Sequence, residues 1–231
     1  MLIAISQRHD SAHGGCDALE SSYNSYFAKR GATLIPMPND RSVVGRYFDS
    51  LNIEGIILSG GGDISPTLYG AKPSPAGDYE IERDETERTI IDIGLARGLP
   101  ILGICRGMEA INVYYGGKIR NVLTEELHHD EVRHAVTISD ASIRALFGNS
   151  SSNVNSYHRM VVTADQLAPG LVAFATSPDK TIEGFYHPNH ALAAMIWHPE
   201  RETISHPLNE ILIDAFLTRK LFWHRRQPVH L

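Results

Sequence analysis

Four short apolar, β-branched runs, Leu2–Ser6, Thr33–Pro36, Gly55–Ser59 and Pro100–Ile104, alternate with longer amphipathic segments in the first half of the chain. A strand that is apolar throughout has to be covered on both faces. Helices placed between such strands cover them, so the alternation predicts βαβ units around a parallel sheet. The helices are expected from about Cys16 to Arg30, from Ser42 to Leu51 and from Glu80 to Arg97. The last puts Ile90, Ile91, Gly94 and Leu95 on one face and crowds Glu82, Arg83, Glu85 and Glu87 into its first turns.

The second half has a different rhythm. His134–Ser139, Asn153–Tyr157, Leu171–Thr176, Thr181–Tyr186 and Ala191–Trp197 are strand-like runs parted by Gly, Pro, Asn and Asp, which predicts antiparallel additions to the sheet. A periodic stretch from Glu202 to Trp223 predicts a closing helix, and Ser150–Ser152 and Lys72–Gly77 are expected to be surface loops. With 231 residues, 42% of them hydrophobic, the chain suffices for one sizeable core, so residues 1–231 are expected to form a single domain. Asp plus Glu number 27 against 21 Lys plus Arg, a net charge of −6 that argues against a nucleic-acid partner. No run approaches the ~18 consecutive apolar residues of a membrane span, and Met1–Arg8 lacks the basic start and cleavage site of a leader, so it is expected to be a strand. Two cysteines in unlike contexts, Cys16 and Cys105, fit a reducing compartment, and the protein is expected in the cytoplasm.

Chemistry concentrates at Ile101-Leu102-Gly103-Ile104-Cys105-Arg106-Gly107-Met108-Glu109. A buried strand meets a helix at one cysteine with glycines two residues to either side. Such a sharp turn projects the side chain from the sheet edge, where helix N-terminal N–H groups favour thiolate and can bind an oxyanion. A buried structural cysteine is the alternative reading. Downstream, Ile196-Trp197-His198-Pro199-Glu200 places a His and a Glu two apart, so in an extended segment both point the same way, as a base and its orienter would. Gly55–Asp63 is another buried strand running into Gly60-Gly61-Gly62, where an N–H can pair with that of Arg106 as an oxyanion hole; a flexible turn is the alternative. No P-loop Lys follows.

These three elements in this order resemble a class I glutamine amidotransferase-like domain. Glu82-Arg83-Asp84 with Glu87, Gly103–Met108, Asn112, Gly116-Gly117 and Val154-Asn155-Ser156-Tyr157-His158 are similar to the γ-glutamyl-γ-aminobutyrate hydrolase branch, the peptidase C26-like group. The resemblance implies a flavodoxin-like, mostly parallel central sheet flanked by helices. It also implies a catalytic set of Cys105, His198 and Glu200, an oxyanion hole from Gly61 (or Gly60) and Arg106, and cleavage of a γ-glutamyl amide through a thioester. Asn155, Ser156 and His158 match the segment that holds the glutamyl end. Glu109 departs from the Gln usual in the family; a carboxylate there can pair with a substrate α-ammonium but repels its α-carboxylate.

The opening Ile5–Arg8 and the ending Trp197–Arg201 look similar to γ-glutamyl-CDP-amidate hydrolases of capsule phosphoramidate synthesis. In that reading Arg8 or Arg201 meets a phosphate. The alternatives are a γ-glutamyl-γ-aminobutyrate hydrolase of polyamine catabolism and a glutaminase subunit delivering ammonia to a separate synthase. The expected partner is a small γ-glutamyl substrate, with a homodimer allowed and no metal or organic cofactor required. His128, His129, Asp130 and His134 complete no metal-ligand spacing and are expected on a solvated loop. His187–His190 is expected to be a turn, Arg219-Lys220 and His224–Arg226 to complement a helix C-terminus, and Cys16 to be structural on a helix face.

Overall fold

The computed structural model describes residues 1–10, 15–74, 77, 79–121, 132–202 and 206–224. In chain order the first half comprises β1 (Leu2–Ile5), β2 (Arg8–Asp10), β3 (Cys16–Ala18), α1 (Ser21–Ala28), β4 (Thr33–Pro36), α2 (Arg41–Ser50), β5 (Gly55–Leu58), α3 (Ile81–Arg97), β6 (Ile101–Ile104) and α4 (Arg106–Tyr114). The second half adds β7 (Arg120–Asn121), β8 (Val132–Ile138), α5 (Ala141–Phe147), β9 (Ser151–Ser156), β10 (Met160–Val161), β11 (Val172–Thr176), β12 (Ile182–Tyr186), β13 (Leu192–Met195) and α6 (Pro207–Leu217). Among the described residues, nine strands join in the order β4-β1-β5-β6-β13-β12-β11-β8-β9. From β4 to β13 neighbours run parallel, and from β12 outward they are antiparallel.

The parallel half follows from the apolar runs, since every residue of β5, β6 and β13 is buried. The chain goes from β1 outward to β4 and then returns to place β5 on the other side of β1, so the connections diverge at the carboxyl ends of β1 and β5. Such a switch point opens a crevice at that edge of the sheet. Ser6, Ser59, Cys105 and Ile196 each follow the carboxyl end of one of these parallel strands, which is how distant segments of sequence come to face one site.

Several expected boundaries move. Ala191–Trp197, expected as an antiparallel addition, joins the two halves of the sheet: β13 pairs antiparallel with β12 and parallel with β6. The expected helix from Cys16 starts only at Ser21, because Cys16–Ala18 pairs with Arg8–Asp10 in a hairpin that leaves Cys16 exposed. Ser151 and Ser152 belong to β9 rather than to a loop. The closing helix spans only Pro207–Leu217; Arg219 and Leu221 adopt positive φ, which breaks the helix before a 3-10 turn at Leu221–Trp223. His134 lies in β8 with its Nε2 3.1 Å from the buried Glu183 carboxylate, not on a solvated loop. His187–His190 forms the expected turn between β12 and β13. His128, His129, Asp130, Arg225 and Arg226 lie outside the described residues.

Two glycines make the β6–α4 turn sterically possible. Cys105 sits at φ 52°, ψ −112°, a conformation that L residues rarely adopt. A Cβ on Gly107 would lie 2.1 Å from the Leu58 carbonyl oxygen, and one on Gly103 2.7 Å from the Gly107 carbonyl oxygen. Both obstacles are backbone, which cannot swing aside. Gly107→Ala is therefore expected to cost about 3 kcal/mol, the upper end of overpacking penalties, seen as a lowered urea midpoint at unchanged slope; an unshifted midpoint would show that β5 and α4 can separate without cost.

Behind the turn, charged side chains are buried together. Arg83, with no exposed surface, bonds Glu87 through Nε (2.8 Å), Glu80 through Nη1 (2.9 Å), and the carbonyls of Ser59 (2.6 Å) and Gly60 (3.1 Å) through Nη2. Arg106 bonds Glu87 and, at 2.6 Å, Asp84. Ser6 Oγ donates to Glu87 at 2.7 Å and accepts from the Ser59 amide at 3.0 Å. Truncating one member of a buried ion cluster leaves its partners uncompensated. Arg83→Met is thus expected to destabilise the protein by about 3–5 kcal/mol in urea denaturation; a loss below about 1 kcal/mol would mean that the cluster behaves like a surface pair.

Candidate active site

Cys105 leaves β6 on the strained turn, its backbone N–H donating to the Met195 carbonyl at 2.9 Å. The residue is buried, 7% exposed. From the neighbouring strand β13 the chain enters Trp197 and His198, which brings the imidazole close enough to Cys105 for the sulfur to act on its protonation. Its Nδ1 lies 2.5 Å from Glu200 Oε1. The other Glu200 oxygen is buried with no hydrogen-bond partner among the described residues, and Arg201 Nε lies 4.0 Å from Oε1. Burial disfavours a charged imidazole, but the Cys105 sulfur and the Glu200 carboxylate outweigh it and raise the His198 pKa to about 10.

His198 and Glu200 meet by a different local geometry from the extended one expected. Pro199 opens a 3-10 turn spanning Pro199–Arg201, and the turn folds Glu200 back onto the imidazole. Asn155 fixes the start of that turn, accepting from the His198 amide at 2.8 Å and donating to the His198 carbonyl at 2.7 Å. Its side chain also donates to Glu202 at 3.0 Å. With the amide group so engaged, Asn155 positions His198 rather than presenting itself to a ligand.

The glycine loop after β5 lies on the opposite side of the imidazole. A Cβ on Gly60 would stand 2.7 Å from His198 Cε1, so the imidazole occupies the space that any side chain there would need. The Gly60 amide donates to Tyr23 Oη at 2.9 Å, which takes it out of the pair of glycines considered for an oxyanion site. Gly61 is exposed, and Arg83 holds the Gly60 carbonyl. In a trans peptide the next N–H points opposite to that carbonyl, so the Gly61 N–H is turned away from Arg83. The Arg106 amide heads α4, where N–H groups have no acceptor within the helix.

Glu109 is buried one turn into α4. Burial raises its pKa from the ordinary 4.5 to about 8, with Arg106 opposing the rise and Asp63 and Glu87 adding to it. Ser156 and His158 are buried at the end of β9 and just beyond it, with His158 Nδ1 2.9 Å from the Met160 carbonyl. Arg8 lies at the rim, its side chain 46% exposed. Arg201 is held by Glu20, Nη2 lying 2.8 and 3.0 Å from the two carboxylate oxygens. No motif in the sequence marks the buried Tyr23 or Glu20, and Tyr157 stands within the Val154–His158 segment without a role of its own. Among the described residues no group of three or more His, Cys, Asp or Glu could hold a metal ion, and no helix is long and apolar enough to cross a membrane.

Comparison with known proteins agrees with this architecture. The chain is 35% identical over 193 residues to a Mycobacterium tuberculosis protein that carries a glutamine amidotransferase name, an alignment covering 79% of this chain and 61% of that relative. It is 31% identical over 221 residues to the gamma-glutamyl-gamma-aminobutyrate hydrolase of Escherichia coli O157:H7, covering 87% and 85% of the two chains. To the gamma-glutamyl-CDP-amidate hydrolase of Campylobacter jejuni it is 29% identical over 209 residues, covering 87% and 91%. The crystal structure of a glutamine amidotransferase from Thermotoga maritima superposes with a TM-score of 0.61 at 16% identity, over 94% of this chain and 83% of that one, showing the same class I glutamine amidotransferase fold. The peptidase C26 family profile matches residues 2–200, and the chain belongs to that family of hydrolase and amidotransferase-like enzymes.

Proposed function

We propose that this protein hydrolyses a γ-glutamyl amide through a thioester on Cys105, with His198 and Glu200 completing the catalytic set. The observation that carries this reading is the Cys105–His198–Glu200 arrangement on a strained strand-to-helix turn. Cys105 passes its proton to His198, and the sulfur attacks the γ-carbonyl carbon. The negative charge that develops on the carbonyl oxygen falls to the Gly61 and Arg106 amides. Collapse of the tetrahedral species breaks the C–N bond as His198 delivers its proton to the leaving nitrogen. Water then adds to the thioester with His198 as base, releasing glutamate and regenerating the thiol. A His198 held protonated by its neighbours suits the donor step, while Glu200 fixes the tautomer and orientation.

Two of the relatives bear hydrolase names that point to γ-glutamyl-γ-aminobutyrate and γ-glutamyl-CDP-amidate as substrates to offer. Supplied with these and with glutamine separately, the purified protein is expected to release glutamate from a γ-glutamyl conjugate. Cys105→Ala is expected to remove the activity, and Glu200→Gln to lower kcat by about 10²–10⁴-fold, the range for a triad orienter. Release from glutamine alone would favour a glutaminase that feeds ammonia to another chain; release from none by folded protein would overturn the hydrolase reading.

Glu109 fits the same reading once its protonation is considered. With a pKa near 8 the buried carboxyl is mostly neutral at pH 7, so it offers one donor and one acceptor as an amide does, without repelling the α-carboxylate of a glutamyl group. Its folded pKa lies above the unfolded one, so the stability it contributes is complete below about pH 4.5 and is lost as the pH rises through about 8. Glu109→Gln is expected to gain stability relative to the unaltered protein between about pH 5 and about pH 9, by about 4 kcal/mol. Urea denaturation across that range checks this, and parallel pH profiles for the two proteins would show that no proton is held at Glu109.

A further inference from the structure

We propose that Glu202 is a positioning residue for the reaction, anchoring the turn that carries His198 and Glu200 to the β8–β9 ribbon by way of Asn155 and Arg133. The inference rests on the γ-glutamyl amide hydrolase reading and adds to its machinery. Strand β9 lies four positions from β13 in the sheet, a separation of about 19 Å if the strands lay flat. Yet the Asn155 side chain bonds both the amide and the carbonyl of His198. The register shows how this comes about: β8 pairs with β11 only at Thr137 and Ile138, whereas residues 132–137 all pair with β9. From Val136 back to Val132 the two strands therefore leave the sheet as a ribbon, which folds back onto the turn.

The ribbon is a fixed platform. His134 Nε2 lies 3.1 Å from Glu183 Oε2 on β12, and Ser152 Oγ lies 3.2 Å from His206 Nε2, ties that do not involve Glu202. The turn is held less firmly by its own backbone. The Arg201 amide donates to the His198 carbonyl at 3.3 Å and the Glu202 amide to the Pro199 carbonyl at 3.4 Å, both long. Asn155 grips the first residue of this segment and Glu202 is its last; between them the Arg201 side chain is tied to Glu20. Glu202 Oε1 accepts from Asn155 Nδ2 at 3.0 Å, and both Glu202 oxygens lie 3.0 Å from Nη1 of Arg133, the cross-strand partner of Asn155. Arg133 Nη2 in turn donates to the Asn153 carbonyl at 3.1 Å. Of the two hydrogens on the buried Asn155 amide, one goes to His198 and the other to Glu202, which fixes its orientation. The charges that favour a protonated His198 are those of the Cys105 sulfur and the Glu200 carboxylate. Glu202 works by position instead.

Steady-state glutamate release from γ-glutamyl-γ-aminobutyrate, γ-glutamyl-CDP-amidate and glutamine tests this. With whichever of them the unaltered protein cleaves, Glu202→Ala is expected to lower kcat by about tenfold to a hundredfold at a KM within about twofold, the mark of a displaced catalytic group rather than a lost substrate contact. Glu202→Gln keeps an oxygen for Asn155 and is expected to recover most of the rate, with the pH profile of kcat in place. In a double-mutant cycle, adding Glu202→Ala to Asn155→Ala is expected to cost little more, because the one acts through the other. A kcat within about twofold of the unaltered value in folded Glu202→Ala overturns the inference. So does a Glu202→Gln rate as low as that of Glu202→Ala, a displaced pH profile, or losses that multiply in the cycle; each leaves the hydrolase reading intact. Absence of Cys105-dependent release from all three by the folded, unaltered protein overturns that reading, and this inference with it.

Discussion

Arg83 lies under the centre of the site and makes none of its chemistry. Fully buried, it ties α3 to the loop after β5 through the carbonyls of Ser59 and Gly60, and to α4 through Glu87, which Arg106 shares. Clusters of buried charge are poor sources of net stability, because desolvation offsets most of the attraction. What this one supplies is direction. Holding two consecutive carbonyls fixes two consecutive peptide planes, so the Gly60 amide is turned to Tyr23 and the Gly61 amide away from Arg83. An apolar side chain of equal volume could fill the space but could not orient those planes. The position of Arg106, immediately after the nucleophile candidate, makes the same cluster set the first turn of α4.

Cys105, by contrast, stores strain. Its positive φ is imposed by the close approach of α4 to β5, where Gly107 rests against the Leu58 carbonyl. Strained geometry of this kind persists only where its surroundings leave no alternative, and here the surroundings are β5, β6 and β13, buried on every residue and paired in register. The rigid parallel strands and the strained turn are one device, since a looser sheet would let the turn relax and withdraw the sulfur.

Much of this was legible in the sequence, for physical reasons that differ by element. Fully buried strands have to be apolar throughout, so β5 and β6 stand out from their runs, β1 and the half-exposed edge strand β4 by the same apolar, β-branched composition, and the glycines around Cys105 announce a tight turn. The hairpin β2–β3 was invisible because Arg8–Asp10 and Cys16–Ala18 carry no alternating pattern and are largely exposed. Helix α5 is too short for a periodic signal, although Asp140, which accepts from the Ser142 and Ile143 amides, is a cap that could have marked it. Arg83 and Glu87 were visible as residues at the head of α3, but charges four apart on a helix usually face water. Only the fold reveals that these face inward. Asn155 was read as a ligand contact because sequence cannot show that the amide is taken up by the backbone of His198.

The electrostatics of the site divide along the bond proposed to break. On the side of α4, Glu109 is driven toward neutrality by burial beside Asp63 and Glu87, so a zwitterionic glutamyl head would meet a hydrogen-bonding group without net charge. On the side of His198, the Tyr157 ring stands edge-on to the imidazole under Arg201, whose charge Glu20 and Glu200 offset. Between them the Cys105 sulfur and the Glu200 carboxylate together favour the protonated imidazole. Attack at the carbonyl moves negative charge from sulfur to oxygen, toward the amides whose planes Arg83 fixes, and expulsion of the amine moves the imidazole proton to nitrogen. Each transfer begins and ends on groups already oriented by bonds to backbone or to buried charge. The site then has little rearrangement to make during reaction, which is the condition under which fixed dipoles in a dry crevice lower a barrier most.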